Sequence, residues 1–439
     1  MRKIFILIIA LLPLSSCDVL DVESQNAIPE DKAIKDKAGI EKGILGSYTS
    51  FQALGYFGRS YVIFADLAAD NLEHSVDGTA QNYAQIDNNA VLPENGAVSA
   101  VWDAGYEGIN IANNIISKVP DMTDMTDAEK NAALAELYFV RAFNHFSLMT
   151  WFGAIPIKTT PTIGASGLDV PRESVAKVYD QVIADLTFAE QNLPAGGTKV
   201  RASKYGASAL LARVYLYKGD YANAKAKATD VIEHGGYTMP AYGDVWTDES
   251  SESIFEIDFT EINRNRIAEY NFPKTLNGRR EVAPTASILA AYENGDARYP
   301  ASIDFSGNLA YPIKYDDLSL GADNVVILRL AEMYLIRAEA EANLAGSITA
   351  IQQDLNVVRT RAKLPDTSAN THDQLLRAIE RERRVEFAFE GHRWFDLVRT
   401  GRAVELLLTV NSENQTRWPI PLTEIVTNKN DGMEQNPGY

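Results

Sequence analysis

Helical periodicity along most of the 439 residues predicts a mainly α chain. Three observations carry that expectation: apolar residues recur at spacings of three and four, glycine- and proline-rich stops separate the runs, and long alternating strands are scarce. The predicted helices are Ala33 to Phe51, Val98 to Val119, Asp127 to Trp151, Ser174 to Leu193 and Lys204 to Tyr217, followed by Tyr221 to Glu233, Val325 to Leu344, Ser347 to Ala362 and His372 to Phe389. Gly153, Pro194-Ala195-Gly196-Gly197, Gly235-Gly236 and Gly346 supply most of the stops. Ser253 to Phe259 is the best short strand candidate.

One pair of helices is sharper than the rest. Leu211-Ala212-Arg213-Val214-Tyr215-Leu216-Tyr217-Lys218-Gly219-Asp220-Tyr221, with Ala224 and Ala228, resembles a tetratricopeptide repeat, with small residues where two helices touch and glycine at the turn. Leu335, Ala338, Ala340, Leu344, Gly346, Ile348 and Ala350 hold similar offsets in a weaker copy. Ala135 to Phe152 and Leu375 to Val398 extend the series, because one such pair cannot bury its apolar face alone. The fold class expected is therefore all-α in the main, a tetratricopeptide-like helical repeat scaffold. Two long stretches break it: residues 54–96 and 239–324 are rich in Gly, Asn, Asp, Tyr and Pro and too long for plain connections, so they form an irregular half where a ligand site is expected.

The amino terminus has a separate logic. Arg2 and Lys3 precede an apolar run from Ile4 to Leu12, too short to span a bilayer, and Leu14-Ser15-Ser16-Cys17 has the pattern of a bacterial lipoprotein cleavage site. Residues 1–16 are expected to be a signal peptide, Cys17 the lipidated residue, 17–29 a polar tether and 30–439 one domain. Several acyl chains, each methylene worth about 0.8 kcal/mol, make a lasting anchor. Cys17 is the sole cysteine, so once acylated it leaves no thiol for disulfides, nucleophiles or zinc-thiolate sites. A formal charge of −18 argues against nucleic acid as a partner and against electrostatic adhesion to anionic lipid.

The carboxyl-terminal part carries a family resemblance. Glu380-Arg381-Glu382-Arg383-Arg384-Val385-Glu386-Phe387-Ala388-Phe389-Glu390-Gly391-His392-Arg393-Trp394-Phe395-Asp396-Leu397-Val398-Arg399 is similar to the signature of the SusD/RagB family of Bacteroidetes nutrient-binding lipoproteins. Further pieces agree in order, among them Trp102-Asp103-Ala104-Gly105-Tyr106, Arg141-Ala142-Phe143, Trp151-Phe152-Gly153-Ala154-Ile155-Pro156, Asp296-Ala297-Arg298-Tyr299, Ile327-Leu328-Arg329-Leu330-Ala331-Glu332 and Pro419-Ile420-Pro421. The resemblance implies an outer-membrane protein, lipid-anchored and facing the cell exterior, that captures a nutrient, an oligosaccharide first of all, and delivers it to a SusC-like TonB-dependent transporter. A helical scaffold lipoprotein of an envelope assembly and a glycan hydrolase are the alternatives.

No cofactor, metal or catalytic group is expected. The histidines at 74, 145, 234, 372 and 392 are dispersed, with no paired ligand spacing, and no phosphate-binding glycine motif is present. Glu382, Glu386 and Glu390 recur four apart as a hydrolase's carboxylates could, but Arg383, Arg384, Arg393 and Arg399 alternate with them at ion-pair spacing. Sugar binding needs aromatic faces beside amides, carboxylates or guanidiniums. Trp102, Trp151, Trp394 and Trp418 fall in the family-like scaffold pieces, which leaves the irregular stretches to supply the site: Tyr56, Arg59, Asp66, Asn82 and Tyr83 from the first, Asn271, Phe272, Arg279, Arg280 and Tyr311 from the second. The basic cluster Arg264, Arg266, Arg279 and Arg280 reads either as anion recognition or, preferably, as neutralisation of nearby acids or contact with the partner barrel.

Overall fold

The computed structural model describes residues 34–164 and 167–439. Cys17 and the expected leader and tether lie outside the described residues.

The principal helices are α1 (Lys37–Thr49), α2 (Gly96–Lys118), α3 (Asp127–Phe152), α4 (Val175–Asn192), α5 (Lys204–Lys218), α6 (Tyr221–His234), α7 (Leu330–Asn343), α8 (Ile348–Arg361), α9 (His372–Glu386) and α10 (Arg393–Arg399). Short polar side chains set where most of them start. Asp36, Asn95, Thr126, Ser174, Ser203, Asp220, Ser347 and Thr371 each accept a backbone N–H from the first turn, an interaction worth about 1 kcal/mol per helix. Thr126 and Glu129 form a full reciprocal capping box at the head of α3. Gly219 ends α5 at φ +78°, a left-handed turn that feeds directly into α6.

Consecutive helices stack in sequence order: α2 on α3, α3 on α4, α4 on α5, and α5 on α6. After the long insertion α7 returns to pack on α6, and it then contacts α8 and α9. The result is the expected superhelix of helix pairs, in which each pair covers the apolar face its neighbour cannot bury alone. At Gly105 of α2 a Cβ would sit 2.8 Å from the Leu148 side chain of α3, so glycine permits that close approach. Trp151, Trp394 and Trp418 are fully buried, and Trp151 stacks on Trp418 with ring centroids 3.7 Å apart. These tryptophans are committed to tying the end of α3 to the carboxyl-terminal part of the chain.

The strands among the described residues are short: β1 (Leu72–His74), β2 (Ser253–Ile257), β3 (Val282–Pro284), β4 (Ile303–Ser306), β5 (Leu309–Pro312) and β6 (Val325–Arg329). β6 corrects the expected helix from Val325 to Leu344. Its Val-Val-Ile-Leu run pairs antiparallel with β2, all five residues are buried, and the helix begins only at Leu330. An apolar run of that length suits a buried strand as well as a helix, and β-branched residues tip it to strand once β2 offers an edge.

The two irregular stretches form one body. β1 from the first pairs with β3 from the second, with Leu72 opposite Pro284 and His74 opposite Val282. The β4–β5 hairpin packs on β3, and short helices at Ser60–Leu67, Gln81–Asp87, Ile267–Asn271 and Ala286–Ala291 fill much of what remains.

Candidate functional site

Tyr270 is the centre of the seam where the irregular stretches meet. The Arg59 guanidinium lies 4.3 Å from its ring centroid and that of Arg279 lies 4.8 Å away. Tyr83 packs against the same ring at 5.6 Å. Cations on an aromatic face are worth roughly 0.5–1 kcal/mol at exposed sites and more when desolvated. Around this core the acids are spoken for: Glu281 accepts the backbone N–H groups of Thr79 and Ala80 at 2.7 and 3.0 Å and pairs with Arg279 at 3.0 Å, while Glu269 pairs with Arg266. Burial works to raise Glu281, but those donors outweigh it and hold its carboxyl below the usual range. Arg280 reaches Asp77 at 3.3 Å and donates to the Ala310 carbonyl at 3.0 Å. Arg266, Arg279 and Arg280 thus follow the neutralisation reading, and Arg264 is exposed.

Of the residues expected to touch ligand, the structure gathers Arg59, Tyr83, Arg279 and Arg280 at this seam. Asn82 is half-buried next to Tyr83, and Asn271 is buried next to Tyr270. Phe272 and Tyr311 form a neighbouring pair with ring centroids 4.7 Å apart, and the Tyr311 hydroxyl donates to Asp304 at 2.9 Å. The Tyr83 hydroxyl and Asn271 Oδ1 are buried and meet no hydrogen-bond partner among the described residues.

Tyr56 and Asp66 are a correction to the expected surface. Tyr56 has no accessible area and packs edge-on to Phe57 and Tyr61 within the aromatic core. Asp66 is equally buried, accepting from Asn71 at 2.7 Å and from the Gly391 N–H at 3.2 Å, and burial pushes its pKa up to about 6. Asp66 lies in the apolar helix Ser60–Leu67, which is buried throughout, and Tyr56 in the turn just before it; no local spacing signalled that helix inside a Gly- and Tyr-rich stretch. Glu269, Glu281 and Asp77 carried no signal of their own in the sequence; their proximity to Tyr270 arises from the β1–β3 pairing.

The signature segment has a different role from its local charge pattern. Glu382, Glu386 and Glu390 are paired with arginines from elsewhere in the chain, which corrects the expectation of ladders along one helix for them, while Asp396 takes Arg383 and Arg399 from within the segment. Arg298 reaches Glu382 at 2.6 Å and Glu386 at 3.1 Å; Arg329 reaches Glu386 at 2.6 Å and Glu390 at 2.7 Å. Arg361 of α8 also pairs with Glu386, and Arg359 with Glu382 at 3.0 Å. Burial would raise Glu386, but the guanidiniums of Arg361, Arg329 and Arg298 prevail and hold it well below the ordinary carboxylate range. Lys314, fully buried, is pushed down to about 8 by desolvation although it lies 2.7 Å from Glu390. Every one of these carboxylates is an acceptor already filled, so the segment joins the repeat helices to the irregular half.

Stacked helix pairs carrying an irregular half define a helical-repeat protein. Residues 18–216 match the family model described as "Starch-binding associating with outer membrane", and residues 309–439 match that of the SusD family. The chain belongs to the SusD family. SusD-like protein P2 of Formosa agariphila is 28% identical, with 98% of both chains covered. A SusD superfamily protein from Bacteroides vulgatus has the same fold, with a TM-score of 0.84 at 21% identity over 92% of this chain and 99% of that one. A laminarin-binding SusD-like protein aligns with a TM-score of 0.82 at 26% identity, covering 92% of this chain and all of the other.

Proposed function

We propose that this protein is a cell-surface lipoprotein that binds an oligosaccharide reversibly and delivers it to a partner TonB-dependent outer-membrane transporter, without cleaving it. The observation that carries the reading is the seam at Tyr270, where Arg59 and Arg279 flank an aromatic ring beside carboxylates, amides and the Phe272–Tyr311 pair. Sugar hydroxyls are donors and acceptors at once, and such a mixture answers both. Arg59, Asn82, Tyr83, Asn271, Phe272, Arg279, Arg280 and Tyr311 are the proposed contacts. Cys17 would carry the lipid that holds the protein at the outer membrane, facing outward. The pairing of Glu382, Glu386 and Glu390 with arginines supports a non-catalytic role for that segment.

The laminarin-binding relative makes β-glucan oligosaccharides the first ligands to try, within a panel that includes starch fragments. Calorimetric titration should show saturable binding of one glycan class, and prolonged incubation should leave its chain length unchanged. A second reading, a scaffold that binds no glycan, is favoured by one fact: Tyr83, Tyr270 and Tyr311 present little open ring face. Failure of the whole panel to bind, with no transporter barrel recovered by affinity purification from native membranes, would establish the scaffold instead.

A further inference from the structure

A cavity of about 70 Å³ lies where the end of α3, the start of α4, the end of α5 and α10 meet. Its walls are apolar or aromatic, with Met149, Val175, Tyr179, Tyr217, Phe395 and Val398 among them, and no seam residue lines it. A water takes about 10–15 Å³ on the same measure, so there is room for roughly five or six non-hydrogen atoms. Two charged groups reach the cavity, the guanidiniums of Arg399 and Arg417, and no carboxylate among the described residues lines it.

The two arginines differ in their partners. Arg399 is spent, paired with Glu339 at 2.8 Å and with Asp396 at 2.8 Å. Arg417 forms no ion pair among the described residues, and the one hydrogen bond of its side chain runs from Nη1 to the Thr416 carbonyl at 3.2 Å. Its Nε and Nη2, the edge with which a guanidinium grips a carboxylate through two parallel bonds, meet no acceptor there. They are not sealed in: Arg417 is half-buried, and neither atom is among those closed off from solvent. Packing fixes where the fork stands, since its stem passes so close to Gly153 that a Cβ there would lie 3.1 Å from Arg417 Cδ. Partial burial strips water from the guanidinium and draws its pKa below the ordinary arginine value. A dehydrated cation without a counter-charge is costly, so the site favours an anion. Tyr179 stands beside it; Arg417 and Arg399 both act on its hydroxyl, which burial still pushes up to about 12, so at neutral pH it remains a donor. A carboxylate answers the guanidinium edge and the phenol, and a short hydrocarbon body answers the walls. A sugar would instead leave hydroxyls against Met149, Phe395 and Val398 with no partner.

We propose that this cavity is a binding site, independent of the oligosaccharide seam, for a short aliphatic carboxylate of about three or four carbons, its carboxylate on Nε and Nη2 of Arg417 and its chain against the apolar walls. Ligand-observed NMR titration of the full-length protein with sodium butyrate tests it, against acetate, which has little chain to bury, and butyramide, which has no charge. Butyrate is expected to bind saturably and roughly tenfold more tightly than either, the two extra methylenes supplying the difference from acetate. Arg417→Met keeps the stem and removes the fork, and should weaken butyrate about tenfold without lowering the melting temperature. Arg417→Lys keeps the charge without the two-pronged edge; it should also weaken butyrate, and it decides should the methionine variant fold poorly. Arg59→Ala at the seam should leave butyrate affinity as in the parent protein. Butyrate binding no better than acetate or butyramide, binding undiminished in the folded Arg417 variants, or binding lost in Arg59→Ala instead would overturn the assignment.

Discussion

Arg329 grips the last turn of α9 at Glu386, its Nη1 2.6 Å from Oε1 and its Nη2 donating to the Glu386 carbonyl at 2.9 Å. Both side chains are buried, and the arginine is the first position after the Val-Val-Ile-Leu run of β6. The contact therefore joins the strand that closes the irregular half to the helix that ends the repeat series. Removing one member of a buried ion pair leaves its partners charged and dry, which typically costs about 3–5 kcal/mol. Arg329→Met is expected to lose stability of that order in urea unfolding, and a loss below about 1 kcal/mol would show that Arg298 and Arg361 hold Glu386 unaided.

Asp66 makes stability depend on pH in the acid range. Its pKa in the fold is raised to about 6 from the ordinary 3.8, chiefly by burial. A raised carboxyl binds protons more readily folded than unfolded, so between those two values the fold loses stability as pH rises. The loss attributable to this group is about 3 kcal/mol. Comparing unfolding free energies of the parent and Asp66→Asn from pH 3.5 to 7 should show that slope in their difference, and a flat difference would refute the placement of Asp66.

At the seam, Arg59→Ala and Arg279→Ala should weaken oligosaccharide binding while costing no more than about 1 kcal/mol of stability, the usual worth of an exposed cation on a ring. Titration of each variant with the best glycan from the panel, alongside thermal melts, separates the two effects. Unchanged affinity in both would move the glycan site elsewhere.

Gly105→Ala is a test of the repeat packing. The new methyl would press on Leu148 at 2.8 Å, and overpacking of this kind costs typically about 1–3 kcal/mol. A thermal melt unchanged by the substitution would mean that α2 and α3 can move apart freely.

For the anchor, Cys17→Ala should shift the protein from the membrane to the soluble fraction on cell fractionation. Persistence in the membrane fraction would exclude lipidation at Cys17 as the attachment.

The superhelix was legible in the chain because it is built from local facts. Apolar spacing in α2, α3 and α5, a capping side chain such as Thr126 or Ser203, and a glycine such as Gly219 act within a turn or two of themselves. The site was legible only in outline. Arg59, Tyr83 and Arg279 were recognisable as the right chemical types, but Tyr270 becomes their common centre through the β1–β3 ladder, a pairing across about two hundred residues of sequence. The same limit explains Tyr56 and Asp66, whose burial depends on the Phe57, Tyr61 and Gly391 surroundings that no local pattern records. Likewise Glu382 and Glu386 read as members of a helical charge ladder, whereas folding hands them to Arg298, Arg329 and Arg361. Periodicity, caps and stops are short-range and survive in one dimension; which ring a guanidinium covers, and which acid an arginine neutralises, is decided by long-range closure of the chain.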